Sequence, residues 1–133
     1  MPTPSSQEAS VSQADNSSIS DAIETYFASM YESSADKVRQ VFHENAKITG
    51  YMQGHLVELS VSDFAASVAS QLPSAAEKKE PILLEIESIE VAGETAVARV
   101  RDGYLGLTFL DTLSFLKVDD RWVIYNKLFH IEG

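Results

Sequence analysis

Cysteine is absent from this chain of 133 residues. That removes disulfides, thiolate metal sites and thiol nucleophiles together, and fits a cytoplasmic protein. Basic residues are scarce. Ten Lys and Arg stand against twenty Asp and Glu, and the net charge is −10. Such a surface repels phosphate backbones and anionic headgroups, so neither nucleic acid nor a membrane is expected as a partner. No apolar run approaches the roughly 20 residues of a membrane-spanning helix. Residues 1–18 lack both a basic start and an apolar stretch, so no secretory leader is expected. Glycine-rich phosphate loops and a nucleophile elbow are missing too. The three histidines, His43, His55 and His130, do not fall at metal-ligand spacing, so no metal and no cofactor is expected. Glu85, Glu87 and Glu90 read as a solvated face.

What is present is enough hydrophobic sequence, 44%, for one domain with a core. Residues 1–18 are rich in Ser, Gln and Pro and read as a flexible tail; residues 19–133 form the single domain. Ser18 or Ser20 caps a first helix whose apolar face is Ile19, Ile23, Tyr26, Phe27 and Met30. A second helix starts at Ser33 or Ser34 and buries Val38, Val41 and Phe42. A short strand runs from Lys47 to Tyr51, with Gly50 and Gly54 bracketing a turn. A third helix, Val61 to Leu72, is capped by Ser60 and stopped by Pro73. Ser74 to Pro81 reads as an exposed, charged loop.

The remainder is a β-meander: Ile82 to Val91, Thr95 to Arg101, Tyr104 to Val118, and Arg121 to His130 after a tight turn at Asp119-Asp120. The last strand alternates Trp122, Ile124, Asn126, Leu128 and His130 on one face. Three helices followed by a meander make the fold α+β.

Asp111 is the most informative residue. It interrupts the apolar run Leu105 to Val118, within Asp111-Thr112-Leu113-Ser114-Phe115-Leu116. A carboxylate in such a strand costs several kcal/mol unless it is protonated or hydrogen-bonded. It therefore reads as a polar point in an apolar pocket, or as an outward carboxylate behind a β-bulge.

Phe42-His43-Glu44-Asn45-Ala46 and Leu116-Lys117-Val118-Asp119-Asp120-Arg121-Trp122-Val123-Ile124 resemble patterns of the nuclear transport factor 2-like superfamily, which includes SnoaL-like and ketosteroid isomerase-like proteins. The ending Asn126-Lys127-Leu128-Phe129-His130 resembles a bacterial branch called putative lumazine-binding. The resemblance covers about residues 19–131. It implies a cone: a strongly bent antiparallel sheet wrapped around the N-terminal helices and enclosing a pocket. Compared with ketosteroid isomerase, Tyr26 falls where that enzyme has its helix-one oxyanion donor, and Asp111 where it has its protonated Asp. The general base should fall at Thr49 or Gly50, and neither is a carboxylate.

The resemblance thus implies a small-molecule-binding homodimer without assigned catalysis. The expected ligand-binding residues are Tyr26, Tyr51, Phe64, Asp111, Trp122, Asn126 and His130. The outer sheet face, with Val123, Tyr125 and Phe129, would form the dimer contact. Lys127 is assigned to that outer face as well. Two alternatives stand. One is an isomerase, cyclase or dehydratase in which Tyr26 and Asp111 hold an oxyanion and His130 or His43 moves the proton. The other is a protein-interaction module recruiting through the Ser74–Pro81 loop and the tail. His43 also has a plainer reading, as a partner for the end of the second helix.

Overall fold

The computed structural model describes the backbone over residues 6–133 and the side chains from residue 13 onward. Its elements run α1 (Ser6–Tyr31), α2 (Ala35–Val41), β1 (Phe42–Met52), β2 (His55–Ser60), α3 (Val61–Ala69), β3 (Leu84–Ala92), β4 (Thr95–Tyr104), β5 (Leu107–Val118) and β6 (Arg121–Ile131). The fold is α+β. One curled, unclosed six-stranded sheet, ordered β2-β1-β6-β5-β4-β3, packs its concave face on the helices.

The helices follow local chemistry. Ile19, Ile23, Tyr26, Phe27 and Met30 recur at helical spacing and are all buried. Ser34 caps α2 by accepting from the Lys37 N–H at 3.2 Å, and Ser60 caps α3 by accepting from the Asp63 N–H at 3.1 Å. α1 starts earlier than the cap signals at Ser18 and Ser20 predict. It already includes residues 6–18, and Asp15 is tied to the sheet by Lys117 Nζ at 3.2 Å and Trp122 Nε1 at 3.1 Å. Residues 1–5 of the expected tail lie outside the described residues. α3 ends at Ala69 rather than Leu72. Leu72 precedes Pro73, whose ring disfavours helical backbone before it, and the Leu72 side chain is exposed.

The loop at residues 74–81 is held rather than free. Ser74 and Glu77 bond each other's backbone N–H reciprocally, at 3.0 and 3.2 Å. Tyr31 brackets the segment, its hydroxyl donating to Glu80 O and its carbonyl accepting from the Ala76 N–H.

Two features of the sheet differ from the sequence reading. β2 is an edge strand with little burial, so His55–Ser60 carries no clear alternation. The pairing of β1 with β6 is parallel, so the sheet is mixed. A parallel pair needs a long crossover, and everything between those two strands supplies it. β3 to β6 form the expected antiparallel meander. Asp119 and Asp120 both take positive φ, 50° and 61°, which suits the twist of a two-residue hairpin.

One irregularity in β6 decides the site. Phe115 pairs with Ile124, but Ser114 pairs with Asn126, leaving Tyr125 as an extra residue. This β-bulge reverses the facing of everything after it. Trp122 and Ile124 point inward as expected. Beyond the bulge, Lys127 and Phe129 turn inward, while Asn126, Leu128 and His130 turn out to solvent.

Candidate functional site

Two strands bring acidic side chains inward. On β4, Ala96, Ala98, Val100 and Asp102 share the buried face; on β5, Phe109, Asp111, Leu113 and Phe115 do so. Val100 lies opposite Asp111, and Asp102 lies opposite Phe109. Asp102 and Asp111 are therefore diagonal cross-strand neighbours, with Cα atoms roughly 7–8 Å apart. α1 adds Tyr26, and β6, because of its bulge, adds Lys127.

The Tyr26 hydroxyl donates to Asp111 Oδ2 at 2.6 Å. Lys127 Nζ lies 4.8 Å from the ring centroid of Phe64, 4.9 Å from that of Tyr26 and 5.9 Å from that of Phe129. It also approaches the Met30 sulfur at 3.9 Å. No carboxylate among the described residues comes within 4.0 Å of this ammonium. All four polar side chains are enclosed; the most accessible, Lys127, is 5% exposed.

The cluster's electrostatics follow from burial and proximity. The Asp102 carboxyl is pushed up to about 9, first by desolvation, then by the hydrogen bond and like charge of Asp111, with Lys127 opposing. Drawn as two carboxylates, the pair has no donor between them, and both oxygens of Asp102 and Oδ1 of Asp111 stand without partners. One proton on Asp102 supplies the missing donor. Tyr26 is held well above the ordinary phenol range by burial and then by the two carboxyls, so it stays a hydroxyl donor. Tyr104, at the edge of the cluster, is raised by desolvation to about 12.

With Asp102 donating to Asp111, the unspent capacity is one Asp102 oxygen and the ammonium protons of Lys127. Met30, which touches Lys127, also lines a hollow of about 350 Å³ with Ser33, Leu72, Tyr104 and Leu105. A second hollow, of about 200 Å³, shares Tyr104, Leu105 and Gly106.

The sequence-derived candidates separate in space. Tyr26, Asp111 and Phe64 meet at this cluster. Trp122 is buried, with its indole N–H on Asp15. Tyr51 is 65% exposed, and Asn126 and His130 face outward. His43 follows α2 as the second residue of β1, its Nδ1 accepting from the Asn45 N–H at 3.0 Å. At Gly50, one of the two positions where the resemblance would place a base, a Cβ would meet the Phe129 ring at 2.5 Å. That space belongs to an aromatic ring, and Phe129 leaves the outer face to which it was assigned.

Asp102 went unread in the sequence, and Lys127, expected on the outer face, is turned inward by the bulge in β6. The Ala96, Ala98, Val100 alternation points to Asp102 as the next inward residue, one position past the expected strand end. Nothing in the pattern marks the bulge that turns Lys127 inward. Among the described residues no group of three or more His, Cys, Asp or Glu is placed to hold a metal, and no helix is long and apolar enough to cross a membrane.

The family described as putative lumazine-binding matches residues 14–130. The chain belongs to this family. Solved structures place the chain on the nuclear transport factor 2-like fold. An NTF-2-like protein of unknown function from Silicibacter pomeroyi DSS-3 is 24% identical, with a TM-score of 0.84 over 91% of this chain and 98% of that one. One from Methylobacillus flagellatus KT is 25% identical, with a TM-score of 0.79 over 90% and 94% of the two chains. One from Shewanella baltica OS155 is 20% identical, with a TM-score of 0.79 over 90% and 95%. No curated protein matches the sequence.

Proposed function

We propose that this protein binds a small, flat, uncharged carbonyl compound at the mouth of the cone, as a homodimer. The observation that carries the reading is the unspent pair of buried groups: an Asp102 oxygen that can accept and the Lys127 ammonium that can donate. Buried polar groups without partners call for a ligand or water. A ring with an N–H beside a C=O would complete both at once. The phenyl and phenol rings of Phe64, Phe129 and Tyr26 offer it flat apolar walls. The hollow behind Met30 and Tyr104 gives the approach, and the flexible thioether of Met30 can yield to an entering ring. The net charge of −10 disfavours phosphorylated ligands. Lumazine, the compound in the family's name, is a fused heteroaromatic dione with this pattern and is the first probe to use.

The homodimer would form on the outer sheet face, where the bulge sets Leu128 at 55% exposure and Val97 lies at 37%. Phe129 turns inward and Val123 is already buried within the chain, so neither is part of that surface.

Native mass spectrometry, beside the denatured mass and a lumazine fluorescence titration, tests the proposal. The expected result is a dimer binding one lumazine per protomer, or carrying a discrete mass that denaturation releases. Asp111→Ala should abolish that binding. A clean monomer with no adduct and no lumazine binding would refute the reading.

A further inference from the structure

Lys127 has a setting that charge balance alone does not explain. A lysine present only to neutralise the Asp102–Asp111 pair would be expected to touch a carboxylate. Instead its nitrogen stands more than 4.0 Å from any carboxylate among the described residues, fixed between three aromatic rings and the Met30 sulfur. It still interacts electrostatically with Asp102. Met30, which it touches, also lines the 350 Å³ hollow. The arrangement provides an amine in apolar surroundings, a carboxyl pair sharing a proton nearby, and a hollow that begins at the Met30 side chain. These are the parts that covalent chemistry on a carbonyl requires.

We propose that Lys127 is a nucleophile that captures aldehydes or ketones as an imine inside the cone. This rests on the reading that a carbonyl compound enters past Met30. The ammonium first gives one proton to the carboxyl pair. The nitrogen lone pair forms a bond to the carbonyl carbon as the carbonyl π pair moves onto oxygen, and Asp102 protonates that oxygen. The nitrogen returns a proton to the pair. The hydroxyl then leaves with a proton from the pair, as water, while the nitrogen lone pair forms the C=N bond. The sum is ammonium plus carbonyl giving iminium plus water, with the carboxyl pair restored and no oxidant or reductant required.

The test uses the full chain, butanal as probe and sodium cyanoborohydride to reduce the imine, followed by intact-mass and peptide mapping. The expected result is labelling at Lys127 about tenfold or more faster than at the exposed Lys47, Lys78 and Lys79. Lys127→Arg keeps the positive charge and should lose the fast label while keeping its thermal unfolding temperature within a few degrees. Label spread over the exposed lysines, with Lys127 reacting only after unfolding in urea, would overturn the proposal. Wild-type mapping decides this even if the variant fails to fold. Lumazine binding without butanal capture removes the imine chemistry alone. Butanal capture without lumazine binding supports the nucleophile and removes only the lactam ligand.

Discussion

Tyr26 and Asp111, 85 residues apart in the chain, meet in the interior through a 2.6 Å hydrogen bond from the phenol to Oδ2. The bond joins helix α1 to the middle of the sheet. It also helps a carboxyl group to be fully buried in an apolar strand: a hydrogen-bond donor offsets part of the cost of leaving water. Tyr26→Phe keeps the ring packing and removes the donor. Urea unfolding should show a loss of roughly 1–3 kcal/mol, the usual cost of leaving a buried acceptor unsatisfied. An unchanged midpoint would mean that water or Asp102 replaces the phenol without penalty.

Asp102 gives the fold a pH dependence of definite sign. Its carboxyl is raised to about 9 in the folded protein against 3.8 ordinarily, by burial first and by Asp111 second. The folded protein therefore keeps a proton that the unfolded chain releases. The contribution is fully present below about pH 4 and is lost as pH rises toward 9, with a slope of at most ~1.4 kcal/mol per pH unit from this one proton. Asp102→Asn retains a donor toward Asp111 and cannot ionise. Thermal melts from pH 5 to 8.5 should show the wild type losing stability with rising pH and the variant following a flatter line. Parallel curves would assign the dependence to other groups.

Gly50 is required by its neighbour rather than by its backbone angles. The Phe129 ring fills the place of its side chain, with the nearest ring carbon 2.5 Å from where a Cβ would stand. Gly50→Ala should cost roughly 1–3 kcal/mol through overpacking in a close-packed interior. Added to Phe129→Leu, the same change should cost less, and a double-mutant cycle of urea midpoints measures the difference. Strict additivity would show that the ring moves aside freely.

Much of the architecture was legible because it follows from local rules. The helical spacing of Ile19, Ile23, Tyr26, Phe27 and Met30, the caps at Ser34 and Ser60, and the hairpin at Asp119-Asp120 all act over a few residues. Asp111 was legible because an acidic residue inside an apolar strand has few physical outcomes. Asp102 was within reach, since the alternation of Ala96, Ala98 and Val100 continues to it. β2 was not, because an exposed edge strand needs no apolar alternation.

By itself, then, the sequence determined the α+β class, the acidic surface, most of the elements and the carboxyl group at the centre of the sheet. The tertiary structure decided the company that carboxyl group keeps. An extra residue at Tyr125 has no signature in the hydrophobic pattern, because a bulge is set by pairing with a distant strand. Strand periodicity is two, so one unpaired residue exchanges the faces of all that follow. That exchange puts Lys127 beside Tyr26 and Phe129 over Gly50, and sends Asn126 and His130 to solvent.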